Sequence, residues 1–135
     1  MKRRDFLIAT AAVTVALPVI AHAAEDYTPK LLQAELDAGK TVFLDFKASW
    51  CSTCAAQGRV IKALLKENPA YEKSITFINV DWDQWQDGDL VKQLNIPRRS
   101  TLVVLKGDKE LGRIVAGTAK EEIKALMDLA LQAAA

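Results

Sequence analysis

The 135-residue chain is half hydrophobic and 26% charged, with 18 Lys and Arg against 17 Asp and Glu. That composition suits one compact domain and is too apolar for disorder. A net charge of +1 gives no basic face for a nucleic-acid backbone, and two cysteines cannot make a disulfide-rich scaffold.

The first 23 residues differ from the rest. Lys2, Arg3 and Arg4 form a positive start, an apolar stretch runs from Phe6 to Ile20, and Ala21-His22-Ala23 is an A-x-A site of the type signal peptidase accepts. This order predicts a cleaved secretory signal peptide over residues 1–23. The apolar run is short for a membrane span of about 20 residues, and no stable span is expected after cleavage. Arg3-Arg4-Asp5-Phe6-Leu7 resembles the twin-arginine export motif. Ordinary signals also carry paired arginines, which leaves the route open. Residues 24–135 then make a single domain with 15 basic and 16 acidic residues and no histidine. Ser-His-Asp and Cys-His catalysis, and histidine-ligated metals, are excluded from it.

Thr28-Pro29 reads as a helix start, with Leu31, Leu32 and Leu36 as its apolar stripe and Gly39 as its stop. Thr41 to Lys47, TVFLDFK, reads as a buried strand. Helical spacing follows from Cys51 to Asn68, with Gly58 as a weak point and Pro69 as the end. Ser74 to Asp81 is a second strand, Trp82 to Gly88 an acidic loop, and Asp89 to Leu94 a short helix. Thr101 to Lys106 and Leu111 to Val115 flank the hairpin signal at residues 107–110. Thr118-x-x-Glu121 reads as a capping box for a last helix with Ile123, Leu126, Met127, Ala130 and Leu131 on its apolar face. Helices alternating with strands imply a parallel pair with right-handed crossovers, and the hairpin adds antiparallel strands.

The chemistry points to Trp50-Cys51-Ser52-Thr53-Cys54, between a buried strand and a helix. The first turn of a helix offers unpaired N–H groups and the positive end of the dipole, and both favour thiolate, the nucleophilic form. The three-residue spacing puts both sulfurs on one side of that turn, close enough to bridge. A disulfide around two residues stores little folding energy and cycles readily. A structural disulfide is the alternative, but it would more often join distant segments.

The segment FLDFKASWCSTC resembles the active-site segment of thioredoxins, and TLVVLKGDKELGRIVAGT resembles the thioredoxin tail of hairpin, glycine and final helix. The resemblance covers about Leu31 to Leu131. It implies a thioredoxin fold of the α/β class, with a central mixed β-sheet of about four strands flanked by helices. The predicted signal peptide and acidic loop look most like bacterial periplasmic thioredoxins, including the C-terminal domain of the transmembrane disulfide reductase DsbD. Location in the periplasm is the corresponding expectation.

The resemblance also implies roles. Cys51 is the exposed attacking thiol, Cys54 the resolving thiol, and the Cys51–Cys54 disulfide replaces any cofactor. Asp45 is the buried acid that takes the proton from Cys54, and Trp50 shields the disulfide and faces the substrate. The partners it implies are protein disulfides and a membrane or periplasmic thiol donor, with the protein acting as a monomer.

Two positions depart from the family. Ser100, in Arg99-Ser100-Thr101, stands where thioredoxins carry a cis-proline, and Lys47 stands where Trp is common. A cis bond before a non-proline residue costs about 2.5–4 kcal/mol, so the Arg99–Ser100 bond is expected to be trans. The expected consequence is a more open site, with Arg99, Ser100 and Thr101 facing the substrate. Lys47 is either a solvated strand end or a cation that lowers a thiol pKa. The segment from Asp81 to Asp89 does not fit the EF-hand pattern, because Trp85 takes the third ligand position; one of its tryptophans is expected to face inward and the other a partner.

The leading function is a thiol–disulfide oxidoreductase that reduces protein disulfides. The alternatives are a thiol oxidant, or a non-enzymatic dimer binding a soft metal through four cysteines. No resident metal site is expected within one chain.

Overall fold

The computed structural model describes residues 24–135, and the predicted signal peptide lies outside them. A two-residue strand, β1 (Glu25–Asp26), precedes helix α1 (Pro29–Asp37) and strand β2 (Thr41–Lys47). Helices α2 (Ser52–Glu67) and α3 (Ala70–Ser74) lead to β3 (Ile75–Asp81). Short helices α4 (Trp82–Trp85) and α5 (Asp89–Leu94) follow, then β4 (Thr101–Lys106), β5 (Lys109–Val115) and helix α6 (Lys120–Ala134).

The sheet runs β1-β3-β2-β4-β5. β1, β3 and β2 are parallel, whereas β4 is antiparallel to β2 and β5 to β4. The expected mixed sheet of about four strands stands in β2 to β5, and the two-residue β1 adds a fifth at its edge. The extra strand has only two residues, too few for a period-two pattern to register. Alternation along β2 sends Val42, Leu44 and Phe46 to one face, toward Leu32, Leu90 and Val91 of α1 and α5. Phe43 packs on the other face, with Ile61 and Leu64 of α2 and Ile123, Leu126 and Met127 of α6. The result is a three-layer sandwich whose strands β2 and β4 are buried on both sides, which is why they read as continuous apolar runs.

The predicted ends of β2, α5 and β4 hold. Thr28 caps α1 by accepting a bond from Leu31 N, and α2 continues through Gly58. The capping box does not form. α6 starts at Lys120 after Ala119, with no side-chain cap. Thr118 lies one residue too early to serve as its N-cap. The expected loop after β3 begins with the short helix α4, capped by the carboxylate of Asp81.

Candidate active site

Antiparallel pairing of β2 with β4 builds the site. The register puts Phe46 opposite Thr101, so the chain leaving β2 meets the chain entering β4. Ser100 N donates to Phe46 O at 2.7 Å and secures the junction. Cys51 sits at the N-cap of α2, and its Sγ accepts from Cys54 N at 3.1 Å. Both cysteines are free thiols.

Ser100 is fully buried and turns its hydroxyl to the dithiol. Its Oγ lies 3.1 Å from Cys51 Sγ and 3.1 Å from Cys54 Sγ. No peptide bond among the described residues is cis, so the Arg99–Ser100 bond is trans as expected. The expected opening of the site does not follow. Ser100 adopts φ +63°, a left-handed conformation that folds its side chain over the sulfurs. Cys51 is 5% exposed and Cys54 1%. Proline could not hold this geometry, because it has no N–H for Phe46 and its φ is fixed near −65°.

The two thiols are set apart electrostatically. Burial pushes the Cys51 thiol up, but bonds from the Cys54 thiol, the Ser100 hydroxyl, Cys54 N and Arg99 outweigh it and bring it down to about 7. Burial pushes Cys54 up, and its bond to Cys51 adds to the rise. Cys51 is thus the readier thiolate and Cys54 the held-back thiol.

Asp45 is 7% exposed and borders a cavity of about 60 Å³ with Phe43, Ile61, Leu65 and Asn79. Burial raises its carboxyl to about 6 against a lowering by Lys47. Its Oδ1 has no hydrogen-bond partner, and no hydrogen bond among the described residues joins it to Cys54. Lys47 thus acts on the buried acid and is not among the groups that shift either thiol.

Trp50 does not cover the sulfurs. It is 58% exposed, its indole N–H donates to both Asp83 oxygens at 2.9 and 3.0 Å, and Arg99 stacks 4.6 Å from its ring centroid. Trp82 provides the cover instead, packing against Ala48, Cys51 and Cys54. Trp85 also turns inward, meeting Tyr27 edge-on at 4.9 Å, so neither tryptophan of this segment is left for a partner alone. Thr101 is buried and donates to Arg98 O at 2.7 Å, and it offers substrate no side-chain surface. Of the residues expected to face substrate, Trp50 is exposed and Arg99 half-buried, whereas Ser100 and Thr101 are enclosed.

Sequence reasoning missed Gln57. It is fully buried, and its Nε2 donates to Ser100 O at 2.9 Å and Gly117 O at 3.0 Å. The available signal was one helical turn of spacing after Cys54, which puts it on the same face of α2.

A hollow of about 550 Å³ between α1, α5 and the β4–β5 turn contains neither cysteine. Among the described residues no three His, Cys, Asp or Glu side chains group as a metal site.

A strand ending in a helix-capping cysteine, with a second cysteine one turn on and a hydroxyl over both, defines a thiol–disulfide oxidoreductase with its redox couple in its own side chains. The thioredoxin family model matches residues 18–129, and the chain belongs to the thioredoxin family. It is 34% identical over 120 residues to an H-type thioredoxin of Brassica campestris, covering 88% of this chain and 91% of the relative. A thioredoxin of Chlorobaculum thiosulfatiphilum is 34% identical over 104 residues, covering 75% of this chain and 90% of its own. The crystal structure of Trxlp from Edwardsiella tarda EIB202 shares the fold, with a TM-score of 0.65 at 23% identity over 78% of this chain and 96% of that one. Thioredoxins act on protein disulfides through their own cysteines, without a cofactor.

Proposed function

We propose that this thioredoxin is exported to the periplasm and there reduces disulfides of partner proteins as a monomer, recharged by a membrane or periplasmic thiol donor. The observation that carries the reductive reading is the unequal pair. Cys51, at the helix N-cap with bonds from Cys54 N and the Ser100 hydroxyl, is lowered to about 7 and is the thiolate that attacks, whereas burial holds Cys54 back as the resolving thiol. The order of charge, apolar run and A-x-A site in residues 1–23 supports export.

In the cycle, the Cys51 thiolate attacks one sulfur of the substrate disulfide. A Cys51–substrate disulfide forms, and the other substrate sulfur leaves as thiolate. Cys54 then gives up its proton, for which the buried Asp45 carboxylate is the acceptor although no direct bond joins the two in the reduced fold, and attacks Cys51. The second substrate thiolate departs, and the Cys51–Cys54 disulfide holds the oxidising equivalents, two electrons having passed to substrate. Ser100 donates to whichever sulfur carries the charge. Trp50 and Arg99 form the rim that meets the substrate chain.

Single-cysteine variants test the order of attack. Cys51→Ser is expected to abolish reduction of a protein disulfide, and Cys54→Ser to accumulate a mixed disulfide through Cys51. Full activity in Cys51→Ser, or trapping through Cys54 alone, would overturn the assignment.

A further inference from the structure

The Ser100 hydroxyl can serve the sulfurs only while its backbone keeps a conformation that serine does not favour. Two such residues stand side by side, Ser100 at φ +63° before β4 and Ala116 at φ +64° after β5. Ala116 N donates to Ser100 O at 2.8 Å. The same carbonyl takes the second bond, from Gln57 Nε2, whose other N–H reaches Gly117 O. Both acceptors are carbonyls, so the orientation of the Gln57 amide is fixed by its surroundings. Its Oε1 is buried with no partner. An apolar side chain of the same volume would fill the space without that orphaned acceptor. The amide is therefore there for its two N–H groups.

We infer that Gln57 is a positioning residue of the dithiol site: its amide ties Ser100 to Gly117 and holds Ser100 in the left-handed turn that keeps the hydroxyl on both sulfurs. The inference rests on the reading of Cys51 as the thiolate nucleophile. Without the amide, Ser100 is free to relax toward negative φ, which swings the hydroxyl off the sulfurs and removes one donor from the Cys51 thiolate.

A double-mutant cycle on the reduced protein tests this, with the Cys51 thiolate fraction followed against pH by its ultraviolet absorbance. Gln57→Met has similar length and no N–H, and Ser100→Gly keeps the left-handed backbone but lacks the hydroxyl. Each single variant is expected to lower the thiolate fraction below neutral pH by about tenfold or more, the effect of one hydrogen bond to a charged group. The double variant is expected to fall no further than Ser100→Gly alone, because Gln57 acts through Ser100. Should Gln57→Met be too unstable to titrate, Gln57→Asn keeps an amide too short to span both carbonyls and reads the same shift. An unchanged titration with reduced thermal stability would make Gln57 merely structural and overturn the inference. Additive shifts in the double variant would overturn the route through Ser100. An ordinary thiol titration in the wild type would instead strike the reading of Cys51, and this inference with it.

Discussion

Asp45 gives the fold a pH signature of its own. Its carboxyl titrates at about 6 in the fold against 3.8 for the free group, because burial penalises the charged form. The folded state thus binds the proton more tightly than the unfolded state. The resulting stability is fully present below about pH 3.8 and is lost as pH rises through 6. Asp45→Asn is therefore expected to stabilise the reduced protein by up to about 3 kcal/mol at neutral pH and by almost nothing near pH 3.5, as measured by denaturant unfolding at both. The same variant should slow release of the mixed disulfide by about a hundredfold, the typical worth of a general base. Faster release, or equal stabilisation at both pH values, would remove Asp45 from the proton path. The Cys51–Cys54 pair was legible in the sequence because its spacing and strand–helix setting stand in one short segment, whereas Asp45 was singled out by resemblance to the family's buried acid. Ser100 was legible as a departure, but its effect was not. The sign of a dihedral and the aim of a hydroxyl depend on Gln57 and Ala116, which approach only in the folded chain.

At the scale of elements, capping separates two threonines that look alike in sequence. Thr28 accepts a bond from Leu31 N, whereas Thr118 precedes a helix that begins at Lys120 without a side-chain cap. Thr28→Ala is expected to cost about 1 kcal/mol and Thr118→Ala close to nothing, a difference that thermal unfolding of the two variants resolves. Equal losses would mean that Thr118 caps after all. Buried strands and amphipathic helices were readable because their periodicity is local. The start of α6 was not, since the chain before it is packed closely at Gly117, where a Cβ would lie 2.6 Å from a Glu122 oxygen and 2.8 Å from Ile114 Cγ2. The short helix α4 was equally hidden, because it is settled by tertiary contacts. Asp81 caps it, Asp83 holds the Trp50 indole, and Trp82 lies on the dithiol.

For the whole molecule, the three layers serve to bring the end of β2 and the start of β4 together, so that one sulfur pair meets one hydroxyl. The fold class was readable from element order and from the resemblance of two segments. The fifth strand was not, because β1 gains its identity only by pairing with Ile78 and Asn79 of β3. Export is a property of the full chain, and Ala21-His22-Ala23 sets the expectation. Protein recovered from the periplasm should begin at Ala24 by mass spectrometry, and recovery only as the full-length chain in membranes would contradict both cleavage and location. The reductive reading has its most direct test in the equilibrium between the Cys51–Cys54 pair and a glutathione buffer. A reduction potential near about −270 mV is the predicted result, whereas a value near about −120 mV would make the protein an oxidant and contradict the reading.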